Sequence, residues 1–385
     1  MIKYIAVDSG KFETKVAVWY PPMQLPQKCS FRTLMEEGQF HDDSLLNNTY
    51  LARIDGNVYK IGNGASGEAE LMTSKMTPIH RACILTAIAK FASDDGTDEF
   101  HVAIGTPVSE FKNSFNRRQY KYYILTNDRG ESMAGTLQNA KETGCDIEEP
   151  KAEEFEIEFK ESSTEPVKKR KFKIISRHVY PESAGVLYMN LVKYKDAGTV
   201  GVIDIGGSTA QGVLYENFEP ALNRGFFCIE NGGAVLAKGL AAKVTSEFSR
   251  IDECSARKLI HNKPEYRYLQ PNSGDENYKK EILSRSQKVI HDYLVNYMRE
   301  IQNACNAAQW PLDFMTIAFM GGTANVTMDI IHEVFGNGVE IVKESKFANA
   351  LGFLKRLYGT YNKGKPSLPV TEDQIRSTAK KVAEG

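Results

Sequence analysis

One pattern occurs twice in this sequence, once at the beginning and once near the middle. The segment IAVDSGKFETKVAVW covers residues 5–19, and the segment VIDIGGSTAQGVLY covers residues 202–215. Each has an apolar run typical of a β-strand that ends in an aspartate, then a turn rich in Gly, Ser and Thr, then a second apolar run. Because the copies lie about one domain's length apart, the repeat predicts two β-hairpins that begin two separate domains.

The turns of both hairpins are suited to binding phosphate. Glycine accepts positive φ and lets a ligand approach the backbone, so that consecutive N–H groups can point at one oxyanion. Asp8 and Asp204 lie at matching points of the two copies, and such carboxylates can hold a hydrated Mg²⁺ ion. The alternative for either segment alone is an ordinary hairpin with an Asp-containing surface turn. The repetition favours two facing loops that bind a nucleotide's polyphosphate from both sides.

Composition restricts the class of protein. The chain of 385 residues is long enough for two domains, and its 42% hydrophobic and 25% charged residues are typical of a soluble globular protein. The formal net charge of −1 provides no field that would hold DNA non-specifically, so any action on nucleic acid is expected to need an adaptor. No apolar run approaches the roughly 20 residues that span a bilayer. Neither a signal peptide nor a membrane anchor is expected.

The cysteines favour a reducing environment. Six are scattered along the chain without a Cys-x-x-Cys pair or a histidine at ligand spacing: Cys29, Cys83, Cys145, Cys228, Cys254 and Cys305. This pattern argues against a structural zinc site and a disulfide framework, and it predicts free thiols in a cytoplasmic protein.

The rest of the first half predicts one helix, one hairpin and one helix start. Apolar residues at helical spacing predict a helix over 79–92. The acidic run EEFEIEF and the basic run KKRKFKIISRHVY, within residues 153–180, predict a hairpin whose opposite charges pair. The segment SAGVLYMNLVKY predicts a helix with Pro181 at its start and Glu182 in its first turn, where the helix dipole favours a carboxylate.

The second half of the sequence contains two glycine pairs, each of which precedes a predicted helix. Gly232 and Gly233 precede one predicted helix, and helical patterns occupy roughly residues 275–308. The segment DFMTIAFMGGTANVTMDIIHEVF predicts a strand, a turn at Gly321 and Gly322, and a helix. Glycines there let a planar group approach the backbone. FANALGFLKRLYGTY predicts a last helix.

Five segments, in this order, resemble the motifs of the actin-like ATPase superfamily, which includes actin, the sugar kinases and the seventy-kilodalton heat-shock chaperones. They are the Asp8 turn, YPESAG, DIGGST, FMGGTAN and ANALGFLKR. In that superfamily they are the first phosphate loop, the first connecting helix, the second phosphate loop, the adenosine loop and the second connecting helix. The resemblance runs from residue 5 to about residue 357 and is greatest to the ParM-type bacterial plasmid-segregation actins.

The resemblance implies an α/β chain with an actin-like fold, in which two ribonuclease-H-like domains flank a nucleotide cleft and each carries a small inserted subdomain. The implied boundaries are domain I at 1–190 (core 1–32 and 76–190, inserted subdomain about 33–75), domain II at 191–345 (core about 199–232 and 310–345, inserted subdomain about 233–309), and a C-terminal helix returning to domain I plus a polar tail at 346–385.

The resemblance also implies roles for individual residues. Glu182 matches the glutamate that orients the water attacking the γ-phosphate, and Asp8 and Asp204 match the carboxylates that hold Mg²⁺ through its waters. The implied nucleotide-binding residues are Ser9, Gly10, Lys11 and Lys15 in the first loop; Gly206, Gly207, Ser208 and Thr209 in the second; Gly232 and Gly233 near the ribose and base; and Gly321, Gly322 and Thr323 in the adenosine loop.

The first loop departs from the family pattern. It reads Ser9-Gly10-Lys11-Phe12, whereas family members usually carry small residues there, so Phe12 is expected to point away from phosphate. Lys11 or Lys15 is expected to supply a cation for the β-phosphate, and motif position favours Lys15. These loops specify the base poorly, so a preference for ATP over GTP is implied by the family resemblance alone, and GTP stays open.

Structural roles remain as alternatives. Glu182 is otherwise a carboxylate that complements a helix dipole, and the two aspartates are otherwise turn-stabilising. For Ser208 and Thr209, local hydrogen bonds in the turn are nearly as well supported as phosphate contact. His80 and His178 are interpreted as strand or loop residues without a partner at catalytic spacing.

The function implied by the resemblance is that of a filament-forming ATPase. Subunits with bound Mg²⁺ and ATP or GTP would polymerise with copies of themselves, and hydrolysis would destabilise the filament. Plasmid segregation would require an adaptor protein bound to centromeric DNA. A small-molecule kinase of the sugar or acetate type is the alternative, although no substrate signature is found, and a chaperone-type ATPase would need a further domain.

Overall fold

The structure, a computed structural model, describes residues 1–42, 45–67, 74–143, 149–221 and 224–376. The chain divides into unit 1, formed by Met1–Asn190 with Phe347–Gly385, and unit 2, formed by Leu191–Lys346. Each unit contains a mixed β-sheet and several helices, which confirms the predicted α/β class.

Unit 1 contains nine strands and six α-helices among the described residues. In chain order they are β1 (Ile2–Ser9), β2 (Glu13–Trp19), β3 (Gln27–Arg32), β4 (Met35–Glu37), β5 (Thr49–Ile54), β6 (Asn57–Gly62), α1 (Pro78–Phe91), β7 (Asp98–Thr106), α2 (Val108–Phe111), α3 (Ser114–Leu125), α4 (Ala134–Thr143), β8 (Glu153–Lys160), β9 (Lys168–Pro181), α5 (Ala184–Met189) and, after unit 2, α12 (Ala348–Tyr361).

The strands of unit 1 form one sheet in the order β3-β2-β1-β7-β9-β8-β5-β6-β4. The predicted first hairpin is present, since β1 pairs antiparallel with β2, and β1 also pairs in parallel with β7. Apart from its first residue, β1 is buried along its whole length, as expected for an apolar strand in the middle of a sheet. Pairing on both sides therefore fixes the position of the last residues of β1 within the unit.

Helix α1 covers one face of this sheet. It begins with Pro78 at its first position, where the missing N–H costs no hydrogen bond. Ile84, Leu85 and Ile88 are buried in the same hydrophobic core as Ile5 and Val7 of β1. The predicted helix over 79–92 is confirmed to within one residue at each end.

The predicted charged hairpin is also confirmed. Strands β8 and β9 pair antiparallel, with Glu156 opposite Lys171. The Glu156 carboxylate forms ion pairs with Lys169 at 3.1 Å and with Lys171 at 3.0 Å. These side chains are exposed, so the pairs favour the register more than they add to stability.

The expected placement of Pro181 and Glu182 in the first turn of a helix is wrong. Strand β9 pairs with β7 through Pro181, and the Glu182 N–H then donates to Thr106 O at 2.9 Å. Ser183 follows with a φ of 71°, and helix α5 begins only at Ala184. The strand ladder continues through Pro181, because a proline without an N–H is tolerated at the end of a strand. Glu182 therefore lies on the strand-to-helix connection, outside the helix.

Unit 2 contains six strands and six α-helices among its described residues. They are α6 (Leu191–Lys195), β10 (Thr199–Ile205), β11 (Ala210–Glu216), β12 (Glu219–Pro220), β13 (Phe226–Ile229), α7 (Gly233–Glu247), α8 (Glu253–His261), α9 (Glu276–Ala307), β14 (Thr316–Met320), α10 (Gly322–Val326), α11 (Met328–Phe335) and β15 (Glu340–Ile341).

The second hairpin has the same surroundings as the first. Strand β10 pairs antiparallel with β11 and in parallel with β14, in a sheet of order β12-β11-β10-β14-β15 with β13 beside β11. Helices α7 and α9 pack on this sheet, and Leu236, Leu294 and Phe319 are fully buried in the core they share with it. The predicted helical region at 275–308 is a single helix of 32 residues.

The segment predicted as one helix after Glu182 is two helices, α5 and α6, which end and begin on either side of Asn190. Within the described residues, no helix combines the length and apolar character that crossing a membrane requires. The cysteines at 29, 83, 228, 254 and 305 are free thiols; Cys145 lies outside the described residues.

Candidate nucleotide-binding loops

Asp8 is the first candidate residue, and strand pairing determines its neighbours. It lies near the end of β1, directly opposite Lys15 of β2 in the antiparallel ladder, with its Oδ2 3.7 Å from the Lys15 Nζ. Only 6% of the Asp8 side chain is exposed. Of the two lysines considered for this loop, Lys15 is therefore the one beside the carboxylate.

Gly105 makes room for this carboxylate. A Cβ at Gly105 would lie 3.2 Å from the Asp8 Oδ1 and 3.0 Å from the Phe353 ring. Any side chain at this position of β7 would therefore push on the aspartate.

Asn349 is a site residue that the sequence reasoning missed. It is buried at the start of α12, where its Nδ2 donates to the Asp8 Oδ2 at 3.3 Å and its Oδ1 accepts from the Ser183 N–H at 3.0 Å. One amide thus ties the end of β1 to the connection that carries Glu182. The sequence signal was a lone polar residue within the small and apolar run ANALG.

Close packing between α5 and α12 holds Asn349 in place. A Cβ at Gly185 would collide with the backbone of Ala348 and Asn349, and one at Gly352 would collide with the backbone of Gly185. The two glycines therefore allow the helix backbones to touch, which positions the Asn349 amide between its two partners.

Glu182 has a partner that the sequence reasoning also missed. Its Oε1 accepts a hydrogen bond from the Lys75 ammonium, and only 4% of the Lys75 side chain and 13% of the Glu182 side chain are exposed. Lys75 precedes α1, far from Glu182 in sequence, and no local pattern marks it. The pair holds the carboxylate at a defined place without closing it off from solvent.

Several carboxylates of unit 1 meet around Tyr120. Burial, and then the negative charges of Glu182, Asp8 and Glu110, raise the pKa of the Tyr120 hydroxyl well above its ordinary value. That hydroxyl donates to Gly105 O at 3.1 Å. The structure therefore brings Asp8 and Glu182 into one electrostatic neighbourhood, although they are distant in sequence.

The interpretation of His80 as a strand or loop residue is wrong. It lies in α1, is 2% exposed, and has its Nδ1 2.9 Å from the Ser9 Oγ. Burial, and then the charges of Lys75 and Lys11, lower the pKa of His80 to about 3, so the ring is neutral at pH 7. The helical spacing of the segment was recognised, but the sheet residue beneath the helix could not be predicted.

His178 does lie in a strand, β9, as one of the two interpretations held. Its Nε2 is 2.8 Å from the Tyr361 hydroxyl.

Ser9 is fully buried, and its hydroxyl points toward His80 and Thr14. A contact between Ser9 and a nucleotide is therefore left to its backbone.

The remaining residues of the first turn are partly accessible. Lys11 and Phe12 are half-buried, and the Phe12 ring has the Arg32 guanidinium 3.9 Å from its centre. That contact occupies one face of the ring. The Gly10 N–H donates back to Asp8 O at 3.2 Å and to Glu13 O at 3.1 Å, which closes the turn.

In unit 2, Asp204 lies at the end of β10, opposite Gln211 of β11 and beside Met320 of β14. It is half-buried. Gly321 follows β14 with a φ of 97°, and a Cβ there would lie 2.6 Å from the Asp204 Oδ1. Only glycine suits this position, both for its backbone conformation and for its closeness to the carboxylate.

Three loops of unit 2 are joined by hydrogen bonds at the end of this hairpin. The Gly233 and Ala234 N–H groups donate to Gly206 O and Gly207 O at 2.9 and 2.8 Å, and the Gly232 N–H donates to Ser208 O at 3.2 Å. The Thr323 hydroxyl donates to Gly206 O at 3.2 Å. The structure thus brings together the predicted residues at 206–209, 232–233 and 321–323.

This arrangement leaves donors available in the second loop. The Gly206 N–H closes the turn by donating to Thr209 O at 3.0 Å. Among the residues that the structure describes, none accepts a hydrogen bond from the N–H groups of Gly207 and Ser208. Both residues are half-buried, so two successive N–H groups of this turn remain to donate to an anion.

The described residues contain no group of three or more His, Cys, Asp and Glu side chains placed to hold a metal ion. The Asp8 carboxylate is instead accompanied by a neutral and a cationic group, Asn349 and Lys15. A single carboxylate per loop suits Mg²⁺, which keeps several of its water ligands in proteins.

Comparisons with known proteins identify the fold. Residues 6–151 match the family model described as the N-terminal domain of actin-like proteins. The crystal structure of Ta0583, an archaeal actin homolog, has a TM-score of 0.66 at 15% identity, covering 93% of this chain and 99% of that chain. A complex of the same homolog with ADP has a TM-score of 0.57 at 16% identity, covering 92% and 98%.

Two further solved structures, of Alp12 and of a ParM protein, share the fold. The Alp12 filament structure has a TM-score of 0.60 at 20% identity, covering 94% of this chain and 99% of that chain. The apo pSK41 ParM protein has a TM-score of 0.60 at 14% identity, covering 94% and 98%. No curated protein sequence matches this one significantly. The resemblance to actin-like proteins and the actin-like fold are thereby confirmed.

Proposed function

We propose that this protein binds and hydrolyses a nucleoside triphosphate and that its nucleotide-bound form polymerises into filaments. The observation that carries the proposal is the junction of three loops in unit 2. There the Gly207 and Ser208 N–H groups are unpaired among the described residues, and they belong to the turn that follows β10, the strand that carries Asp204. An actin-like fold supports it, and so do an ADP complex and filament structures among the proteins that share this fold.

The phosphates are bound by backbone N–H groups of the two hairpin turns. In unit 2 these are the N–H groups of Gly207 and Ser208, with the Thr209 hydroxyl nearby. In unit 1 they belong to the turn after Asp8, and Lys15 supplies the cation for the β-phosphate. Fixed N–H groups at a phosphate lose no energy to reorganisation when charge develops during transfer. Gly321, Gly322 and Thr323 bind the adenosine part, with Gly232 and Gly233 nearby.

Asp8 and Asp204 are the residues that hold Mg²⁺ through its waters. When bound, this ion neutralises charge on the phosphates. Asp8 is suited to the role because Asn349 and Lys15 fix its position. Asp204 is suited because Gly321 leaves space beside its Oδ1.

Glu182 orients the attacking water and takes its proton. It lies on the strand-to-helix connection, one residue before the N-cap of α5. Lys75 holds the carboxylate in place through its Oε1. A base must lie within hydrogen-bond reach of the proton it removes, and a fixed carboxylate meets that requirement at low entropic cost.

The filament is the proposed working form, and plasmid DNA segregation is the proposed task. The formal net charge of −1 makes direct, non-specific binding to DNA unfavourable, so the proposed link to DNA is an adaptor protein at a centromeric site. A small-molecule kinase on the same fold remains the second candidate.

Light scattering with simultaneous measurement of phosphate release tests the proposal. The purified protein is mixed with Mg²⁺-ATP or with Mg²⁺-GTP over a range of protein concentrations. We expect scattering to rise above a critical concentration and then to decay as phosphate appears, with one nucleotide preferred. Phosphate release without scattering, or only after addition of a small-molecule acceptor, would instead support a kinase or an uncoupled ATPase.

A further inference from the structure

A chain of buried polar groups runs from helix α1 to the turn of the first hairpin. The His80 Nδ1 is 2.9 Å from the Ser9 Oγ, which is 3.1 Å from the Thr14 Oγ1. The Thr14 Oγ1 is 3.0 Å from the Thr33 Oγ1, and the Thr33 hydroxyl donates to Gly10 O at 2.6 Å. The four side chains are each at most 2% exposed, so water does not compete for these hydrogen bonds.

The last member of this chain, the Gly10 carbonyl oxygen, determines which group donates in every hydrogen bond of the chain. A carbonyl oxygen only accepts, so Thr33 uses its single proton on Gly10 O. Thr14 must then donate to Thr33, and Ser9 must donate to Thr14, because each hydroxyl has one proton. Ser9 therefore accepts from His80, and the His80 ring must carry a proton on Nδ1. Since the ring is neutral at pH 7 and carries its single N–H proton on Nδ1, the Nε2 atom carries no proton.

The end of the chain determines which way one peptide group of the turn faces. Thr33 holds the Gly10 carbonyl toward the protein. The carbonyl and the N–H of a trans peptide point in opposite directions, so the N–H of Lys11 points away from Thr33. Among the described residues, none accepts a hydrogen bond from that N–H. It is a fixed donor in the turn that follows Asp8.

We propose that His80 is a positioning residue whose Nδ1–H begins a hydrogen-bond chain through Ser9, Thr14 and Thr33 that orients the Gly10–Lys11 peptide, so that the Lys11 N–H donates to a nucleotide phosphate. The phosphate contact rests on the proposed function. The order of the protons does not, because it follows from the buried groups alone.

The tautomer of His80 is the direct test of the chain. Two-bond ¹⁵N–¹H correlation spectra of the protein labelled with ¹⁵N-histidine, recorded near pH 7, distinguish a protonated from a bare nitrogen at each ring position. The sequence contains seven histidines, and the signal lost in His80→Asn assigns His80. We expect a neutral ring protonated at Nδ1. A ring protonated at Nε2 would overturn the proposal, because Ser9 would then have to donate to His80, no proton would lie between Ser9 and Thr14, and His80 would no longer be linked to the Gly10 carbonyl.

Two substitutions test whether the chain matters for phosphate binding. The amide nitrogen of Asn occupies nearly the position of a histidine Nδ1, whereas that of Gln occupies nearly the position of Nε2. We expect His80→Asn to rescue ADP affinity to within about 3-fold of the wild type, and His80→Gln to weaken it about 10-fold, as for loss of one buried hydrogen bond. Affinity is measured by calorimetry with Mg²⁺-ADP, and His261→Gln, at an exposed histidine, is the control.

The order of the two variants separates positioning from packing. Gln is closer to His in volume, so a purely structural role predicts that His80→Gln is the milder change in both melting temperature and affinity. The same order in both measurements would overturn the positioning role. If the wild type binds no nucleotide but has the Nδ1–H ring, the proposed function and the phosphate contact are both wrong, and only the proton order stands.

Discussion

The two hairpin turns have the same pattern of strand, aspartate, turn and strand, but different groups hold them in place. Backbone hydrogen bonds close both turns, but the first turn is held against the rest of unit 1 by a chain of side chains, namely the hydroxyls of Ser9, Thr14 and Thr33 with His80. The second is held mainly by the backbone, through N–H groups of residues 232–234 that donate to carbonyls of residues 206–208. The first turn should therefore be sensitive to loss of a polar side chain, and the second to a Cβ added at Gly232.

The pairing of strands around the turns is the same in both units. Each hairpin has its first strand between an antiparallel and a parallel neighbour, β2 and β7 in unit 1 and β11 and β14 in unit 2. A strand in this position is an inner strand, and its last residues lie at the end of the sheet where the hairpin turn begins. The aspartates are therefore equivalent by topology, and the comparison between them can be tested by substitution.

The largest effect is expected from removing either aspartate. Asp204→Ala should abolish Mg²⁺-nucleotide binding and polymerisation, because one of the two carboxylates proposed to hold the ion is lost. Asp8→Ala should do the same and should also lower the free energy of unfolding by roughly 1–3 kcal/mol, since Asn349 and Lys15 lose their buried partner. Calorimetry, light scattering and urea denaturation measure the three quantities.

Asp313→Ala, at an exposed aspartate of unit 2, is the control for both substitutions and should behave as the wild type. Assembly of Asp204→Ala at the wild-type critical concentration would contradict the role of the second turn. Full nucleotide binding by Asp8→Ala alone would break the equivalence of the two turns.

The second-largest effect is expected from a substitution at Glu182, in unit 1 alone. Glu182→Ala should slow phosphate release by roughly 100- to 10,000-fold, the usual contribution of a general base, while nucleotide binding and polymerisation persist. The filaments should consequently be long-lived. Phosphate release and scattering in one sample measure both properties, and unchanged hydrolysis would remove Glu182 from its proposed role.

The smallest effect sharpens the difference between the two turns. A Cβ at Gly232 would lie 2.5 Å from the Ser208 carbonyl carbon and 2.6 Å from Gly207 O, whereas a Cβ at Gly10 would lie 3.1 Å from Glu13 O. Gly232→Ala should therefore lower the free energy of unfolding by about 1–3 kcal/mol. Gly10→Ala should lower it by less than about 1 kcal/mol, because only a small shift is needed.

Urea denaturation measures both values. Gly338→Ala is the control in unit 2, because among the described residues no heavy atom other than those of its chain neighbours lies within 4 Å of a Cβ there. Equal losses at Gly232 and Gly10 would show that the two turns tolerate a methyl group equally well, contrary to the comparison.

Much of the fold was predictable because it depends on local pattern. Alternating charges in residues 153–180 predicted β8 and β9, and helical spacing predicted α1 and α12. The start of α5 was not predictable in the same way. Pro181 is a common first residue of helices, but the parallel pairing of β9 with β7, a contact distant in sequence, extends the strand through it.

The residues of the candidate site likewise divide into those that a local sequence pattern marks and those that only a distant contact defines. Asp8, Asp204 and the glycine pairs were identified because their residue types recur at fixed positions in a repeated motif. Lys75, His80 and Asn349 were missed as site residues because each acts through a contact that is distant in sequence: Lys75 with Glu182, His80 with Ser9, and Asn349 with Asp8 and Ser183. A single sequence carries no record of such pairs.

The sequence by itself determined the two hairpins, their aspartates and the actin-like fold, because strand periodicity, turn glycines and the order of motifs are all local or sequential properties. Tertiary structure alone decided how each turn is held. Packing of α1 on the first sheet brings His80 to Ser9, and the start of α7 brings Gly232 onto Ser208. Burial makes these contacts decisive, since a polar group removed from water must find its partner within the fold.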